Sequence, residues 1–352
     1  MKIRIVTSKE AHSGILGKFA LKLQEHIAIL GHKVDIGYEP DDQADINHYI
    51  LYLIYDLANH TSIDSLLITH VDRPSKLKLL KTQLKGDTRL GICMSRETMN
   101  LLLENGIPKN KLCYINPAHD SKITPKKINI GITSAVYADG RKRENYILKI
   151  SSKIDPSDFK FTIMGAGWEN IITDLKNKNF IVDYYSEFNY ENYNKIIPTF
   201  DYYLYLGQDE GSMGFIDALY AGVKTIVTPQ GYHLDVENGI THSFNNYKEL
   251  IQILKRIAEN KNKLQSSVEE WTWANYGMKH LEVWEYLLTN KNPRSTFKDG
   301  INSLLNSEQS RGISLSGILN TRFKLLQITT SRFINSTDKM GKIERKFKNI
   351  FK

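Results

Sequence analysis

The residues best suited to chemistry lie between an aromatic-rich apolar run, 202–206, and a β-branched run, 223–228. They are Asp209-Glu210-Gly211-Ser212-Met213-Gly214 and, three residues on, Asp217. A glycine-rich turn that a strand enters and a helix leaves keeps backbone N–H groups free. The helix dipole adds positive potential, so the turn favours an anion, phosphate foremost. Asp217 follows Glu210 by seven positions and Asp209 by eight, so one carboxylate can face each end of a ligand. The same letters also suit an ordinary strand–turn–helix link with solvated acids. His70 closes the apolar run 66–69; at the carboxyl edge of a parallel strand it would face the crevice where α/β proteins bind ligands, or else serve as a cap or packed side chain. Cys93 and Cys113, in LGICMS and KLCYI, read as reduced, buried thiols rather than a disulfide or metal pair. No pair of acids at D-x-D spacing suits a divalent cation, so neither a metal nor another cofactor is expected.

Such groups need a scaffold of strands with helices between them. The chain has 352 residues, 41% hydrophobic and 10% aromatic, enough for two domains with cores of their own. Residues 2–7 form a β-branched strand, and a turn containing Gly14 leads into a helix with Phe19, Leu23, Ile27 and Leu30 on one face. Gly31 stops that helix before a second strand at 34–37, a βαβ opening. Further strands are expected at 49–55, 66–69, 90–94 and 111–115, with Ser95 capping a helix over 96–105. After a linker at 121–127 the pattern resumes with strands at 128–132 and 159–164, then apolar stretches at 180–183 and 185–190 and a helix over 190–200. Arg141 and Lys142, on the loop 134–143, would neutralise a diphosphate through charge-assisted hydrogen bonds, or form a solvated basic loop. No run of eighteen apolar residues is present, and residues 1–8 read as a strand rather than a signal peptide, so a cytoplasmic protein is expected.

Charge is concentrated at one end. Residues 291–352 hold 13 Lys and Arg against 4 Asp and Glu, net +9, which leaves 34 against 35 in the remainder. The basic character therefore belongs to the tail, and with no zinc-finger, RNP-like or helix-turn-helix pattern no nucleic-acid partner is expected. In the tail, Leu319, Phe323, Leu326, Phe333, Met340, Ile343, Phe347 and Ile350 recur at three-to-four spacing. Arg322, Lys324, Arg332, Lys342, Arg345, Lys346 and Lys348 stand on other faces. Such a helix lies on anionic lipid at the inner face of the membrane, or packs on the body or on a second subunit.

The segment 210–223, EGSMGFIDALYAGV, resembles the signature of the family-4 GT-B glycosyltransferases: an acid, a glycine-rich turn, a second acid, Ala, two small or apolar residues, and Gly. In that family seven residues separate the acids and the second is Glu. Here six lie between Glu210 and Asp217, so either Asp209 is the first acid or the turn is one residue shorter. The resemblance extends over residues 1–290, including 90–120 at the end of the first domain and the segment 234–241. It implies an α/β fold of the GT-B type, two Rossmann-like domains facing each other across a cleft. The acceptor-side domain would be 1–122 with Gly14 facing the cleft, the donor domain 123–270, and a helix at 271–290 crossing back; the basic helical tail 291–352 lies outside the resemblance. It implies a nucleotide-diphosphate sugar as donor and a glycan or lipid-linked acceptor, with retention of configuration, in cell-surface polysaccharide or glycolipid synthesis. Glu210 or Asp209 would hold the sugar with His70 nearby, and Asp217 the ribose. Gly211, Ser212, Met213, Gly214 and Phe215, with Arg141 and Lys142, would hold the diphosphate, and Gly165 would lie near the base. A nucleotide-sugar epimerase or phosphorylase-like enzyme on the same scaffold, and a non-catalytic nucleotide-sugar-binding protein, are the competing readings.

Overall fold

The computed structural model describes residues 1–350 apart from 59–62, 87–88, 292, 294–295 and 307–314, with side chains described as far as residue 332. The chain divides into two compact units, Met1–Ser121 together with Val268–Lys352, and Lys122–Ser267.

The first unit opens with β1 (Lys2–Val6), α1 (Lys9–His12), α2 (Ile15–Ile29), β2 (Lys33–Gly37), β3 (Ile46–Tyr49), β4 (Asp64–Ile68), α3 (Pro74–Gln83), β5 (Arg89–Cys93), α4 (Arg96–Glu104) and β6 (Leu112–Tyr114). The six strands pair in parallel, in the order β2-β1-β3-β4-β5-β6. β3 and β4 are buried along their whole length because both sheet faces are covered. The strand expected at 49–55 lies earlier, at Ile46–Tyr49, and Tyr52–Ile54 is a 3₁₀ turn. Phe19, Leu23 and Ile27 of α2 are buried as expected, whereas Leu30 is past the helix end and 45% exposed. Cys93 and Cys113 are buried free thiols, and burial pushes both up from the usual thiol range.

The second unit runs β7 (Ile128–Thr133), α5 (Asn145–Ser151), β8 (Phe159–Met164), α6 (Glu169–Asn177), β9 (Ile181–Tyr185), α7 (Tyr190–Ile196), β10 (Tyr202–Tyr205), α8 (Met213–Tyr220), β11 (Lys224–Val227), β12 (His242–Ser243) and α9 (Tyr247–Ser266). Its sheet is also parallel, in the order β12-β11-β10-β7-β8-β9. One core, with Phe159, Phe161, Trp168 and Leu254, covers one face; Phe200, Tyr203, Phe215 and Ala218 cover the other. Each unit is thus a doubly wound Rossmann-like layer, and the α/β fold class stands. The strand order reverses between β7 and β10, the switch point at which ligands bind in such sheets.

The chain then returns to the first unit. α10 (Trp273–Thr289) is capped by the Thr272 hydroxyl on Asn275 N and packs on α2, with Phe19 edge-on to Trp273 at 5.1 Å and to Tyr276 at 5.6 Å. A buried Lys279–Asp299 ion pair of 2.8 Å fixes the approach to α11 (Ile301–Leu305), and α12 (Leu315–Ile350) follows. Among the described residues no helix is long and apolar enough to cross a membrane.

Candidate functional site

At the switch point of the second unit, β10 carries Tyr203 and Tyr205 to its carboxyl end, and each hydroxyl fastens part of the following turn. The Tyr203 hydroxyl meets Ser212 Oγ at 2.5 Å and Thr133 Oγ1, at the end of β7, at 3.1 Å. The Tyr205 hydroxyl donates to Asp209 Oδ1 at 2.5 Å and accepts from Lys142 Nζ at 2.5 Å. Lys142 Nζ also pairs with Asp209 Oδ2 at 2.7 Å, and Gly211 N–H donates to Asp209 Oδ1 at 3.3 Å. Burial opposes ionisation of Asp209, but the Lys142, Tyr205 and Gly211 hydrogen bonds outweigh it and hold the carboxyl below its usual range. Burial, then the hydrogen bond to Asp209, pushes the Tyr205 phenol far up.

Ser212 is the N-cap of α8, yet its hydroxyl is taken by Tyr203 and makes no cap hydrogen bond. Its N–H donates to His233 Nε2 at 3.2 Å, so the Nδ1–H of His233 donates to Thr228 O at 3.1 Å and the ring is neutral. Burial lowers the His233 pKa in spite of the Thr228 hydrogen bond. The ring lies against Phe215 at 4.3 Å. Phe215 N donates back to Ser212 O at 2.9 Å. Of the five residues expected to hold the diphosphate, Gly211, Ser212 and Phe215 therefore have their amides spent inside the protein. Met213 and Gly214 keep first-turn amides with no side-chain cap, and both line a cavity of about 560 Å³. At Gly214 a Cβ would lie 2.1 Å from Thr133 Oγ1, so only glycine lets the helix start this close to β7.

Thr133, Gly165, Ser212, Phe188, Tyr193 and Asp217 also line that cavity. Asp217 accepts a 2.5 Å hydrogen bond from the Tyr193 hydroxyl, which fixes one of its oxygens and, with burial as the larger cause, pushes that phenol far up. Gly165 has φ +138°, and a Cβ there would meet Ser134 O at 2.4 Å. The loop after β7 is held over this point by Trp168 Nε1–H donating to Ser134 O at 2.6 Å. Phe188 and Tyr190, 66% and 71% exposed, give the cavity an aromatic rim.

The other expected residues are placed differently. Glu210 is exposed, and among the described residues its carboxylate has no hydrogen-bond partner; its carbonyl accepts from Tyr232 N at 3.1 Å. Arg141 is exposed and stacks on Tyr137 at 4.4 Å, with Asp139 3.5 Å away. Its neighbour Arg143, at φ +48°, ties three segments together: Nε donates to Leu206 O at 2.5 Å, and the other nitrogens reach Gly207 O, Asn245 O and the Thr228 hydroxyl. In the first unit, exposed His70 contacts Lys76 Nζ at 2.9 Å and Thr69 Oγ1 at 3.1 Å. Gly14 is the extended N-cap of α2, and a Cβ there would meet only Ala11 O, at 3.9 Å. A larger hollow of about 730 Å³ beside Arg96, Tyr114 and Lys298 contains none of the expected residues. Thr133, Arg143, Phe188, Tyr193, Tyr203, Tyr205 and His233 are among the participants that sequence reasoning did not assign to the site. Only the glycine-flanked Tyr232-His233 pair just after β11 offered a local signal.

No family model matches the chain, and no curated protein matches it. Among solved structures it is similar to Anabaena Alr3699/HepE in complex with UDP and glucose, at 11% identity over 81% of this chain and 99% of that one, TM-score 0.33. A glycosyltransferase from Rickettsia africae shows 16% identity over 82% and 99%, TM-score 0.34. The lipopolysaccharide outer core galactosyltransferase WaaB shows 10% identity over 82% and 99%, TM-score 0.33.

Proposed function

We propose that the second unit binds a nucleotide-diphosphate sugar and that the protein is a GT-B glycosyltransferase of the family-4 kind, moving the sugar to a glycan or lipid-linked acceptor with retention of configuration. The observation that carries this reading is the uncapped start of α8, with the Met213 and Gly214 amides open to a cavity at the β7/β10 switch point and Asp217 on its wall. Two amides at a helix start suit a phosphate, and a carboxylate one turn further on suits a ribose diol. An aromatic rim of Phe188 and Tyr190 suits a base.

Charge growing on the departing diphosphate would be met by these amides and by Lys142, which Asp209 and Tyr205 hold in place. Arg141 adds a second cation at the loop surface. With that positive charge supplied by the chain, the reaction is proposed to need neither a metal nor another cofactor. Glu210 takes the donor-sugar role, because Asp209 is committed to Lys142 and Glu210 is not. His70 is proposed to act near the donor sugar, and Gly14 to belong to the acceptor-side domain. The reading puts the enzyme in the cytoplasm, working on a cell-surface polysaccharide or glycolipid. The test is a thermal-shift panel of UDP, GDP, ADP and dTDP sugars, followed by incubation of the best donor without acceptor. Stabilisation by one nucleotide class with no epimerised sugar supports the reading; a sugar converted while still attached to its nucleotide replaces it with an epimerase.

A further inference from the structure

α12 has two faces, and among the described residues Thr321, Lys324 and Arg332, which bond to the rest of the first unit, lie on one of them. Gly317, Thr321 and Leu325 are buried against α4: Thr321 Oγ1 accepts from Asn105 Nδ2 at 2.9 Å, and a Cβ at Gly317 would meet Glu104 Cβ at 3.0 Å. Lys324 pairs with Glu97, and Arg332 with Asp72, which also holds Lys76 at 2.8 Å. These contacts fix the rotation of the helix. They leave Leu315, Leu319, Phe323 and Leu326 turned outward, 79%, 63%, 63% and 64% exposed. Four large apolar side chains in one helical stripe are not scattered surface residues.

The helix is 36 residues long, about 54 Å, and the sequence continues the seven-residue spacing of Leu319 and Leu326 with Phe333, Met340 and Phe347. Two occupants compete for such a stripe. A second copy of the helix would need apolar residues at the companion seam positions as well. Three further on from each stand Arg322, Thr329, Ser336, Ile343 and Ile350; four further on stand Phe323, Thr330, Thr337, Glu344 and Phe351. Most are polar. Residues 315–352 also carry nine Lys and Arg against two Asp and Glu, net +7, which repels a second copy and attracts an anionic surface.

We propose that α12 is a membrane-surface anchor: the Leu315/Leu319/Phe323/Leu326 stripe enters the interfacial layer of an anionic bilayer, with the helix lying in its plane and its cations over the headgroups. The first unit is thereby tethered through its α4 contact. This stands apart from the transferase reading, because lipid binding is measured without donor or acceptor.

The test is co-sedimentation of the full chain with vesicles of phosphatidylglycerol and phosphatidylcholine, against vesicles of phosphatidylcholine alone. Two variants accompany it. One combines Leu319→Ser, Phe323→Ser and Leu326→Ser; the other combines Lys342→Gln, Arg345→Gln, Lys346→Gln and Lys348→Gln. Each near-surface cation is worth about fivefold in partition before screening, so the charge variant should bind anionic vesicles at least about tenfold more weakly. The stripe variant, which loses three apolar side chains from the interfacial layer, should weaken by at least as much. The wild-type chain should ignore the zwitterionic vesicles. Unchanged circular dichroism and unfolding midpoint show that the stripe variant is folded; should it fail that check, the charge variant and a salt titration decide. Failure of the wild-type chain to bind, undiminished binding by either folded variant, or a wild-type dimer that the stripe variant abolishes would overturn the proposal, the last in favour of a second copy.

Discussion

Replacing Asp209 by Asn and, separately, Glu210 by Gln divides the two adjacent acids into a residue that holds the turn and a residue that meets the sugar. Asp209 accepts from Lys142 Nζ at 2.7 Å, from Tyr205 at 2.5 Å and from Gly211 N at 3.3 Å, with side-chain exposures of 25% for Asp209 and 12% for Lys142. A hydrogen bond to a charged group is worth about 1.5–3 kcal/mol, but partial exposure moves this ion pair toward the lower end. Asp209→Asn should therefore cost about 1–2 kcal/mol, roughly 2–8 °C in the unfolding midpoint of a unit this size. The Asp209 pKa is depressed, so its contribution is complete above the unfolded carboxyl value near 4 and is lost as pH falls through the folded value. The midpoint difference between wild type and Asp209→Asn should accordingly shrink below about pH 4. Exposed Glu210 should leave stability within about 0.5 kcal/mol when changed to Gln, while turnover falls. Scanning calorimetry across pH, paired with turnover at neutral pH, reads both quantities. Equal midpoints for wild type and Asp209→Asn, or full turnover in Glu210→Gln, would refute this division of roles.

Asp217→Asn should weaken nucleoside diphosphate binding by about 1–2 kcal/mol, roughly five- to thirtyfold by calorimetric titration, because the amide loses a charged acceptor for a ribose hydroxyl. Tyr193→Phe should preserve binding better than Asp217→Asn, since it frees an Asp217 oxygen and removes no charge; the reverse order would put the ribose elsewhere. Arg141→Ala should reduce nucleoside diphosphate affinity by about 1.5–3 kcal/mol if its guanidinium reaches the phosphates, and unchanged affinity would leave Arg141 as a surface stack on Tyr137. His280 is buried between Tyr276 and Trp284, and burial lowers its pKa to about 4, against the raising effect of the Tyr276 carbonyl. A lowered histidine stabilises the fold above its unfolded value near 6.5, and that stability is lost as pH falls toward the folded value. Denaturant unfolding should therefore lose up to about 1.4 kcal/mol per pH unit below pH 6.5 for this group. His280→Phe should flatten part of that slope, leaving the share of buried His48, whose pKa is lowered in the same way; an unaltered slope would contradict the assignment.

Much of the scaffold was legible because its signals are local. The aromatic run before Asp209 and the β-branched run before Pro229 mark strands by their composition, and the glycine-rich turn between them marks the helix start. The strand expected at 49–55 was misplaced because Asn47 and His48 look like poor strand residues, yet both are fully buried and hydrogen-bonded, His48 to Ser65 at 2.9 Å and Asn47 to the Asp41 backbone. What the sequence could not reveal was how the turn is held. Lys142 reaches Asp209 across 67 positions, and Tyr193 reaches Asp217 across 24, because the loop after β7 and helix α7 converge on one end of the sheet. His233 consumes the Ser212 amide for the same reason, so the set of open amides is smaller than the motif alone implies. In the tail, spacing identified a helix with an apolar stripe, and only the contacts with α4 separate its covered side from its open one.

The central claim, that the open start of α8 receives the diphosphate of a nucleotide, is tested most directly by titrating UDP, GDP, ADP and dTDP into the wild-type chain and into Gly214→Val. The added side chain would stand where Thr133 Oγ1 and the Tyr203 hydroxyl already are, at 2.1 and 2.5 Å from its Cβ, and must displace the first turn. The account predicts one-to-one binding of at least one nucleoside diphosphate to the wild-type chain and a loss of at least about tenfold in a Gly214→Val protein that stays folded by circular dichroism. Binding of equal strength in the two proteins, or no binding of any of the four to the wild type, would contradict it.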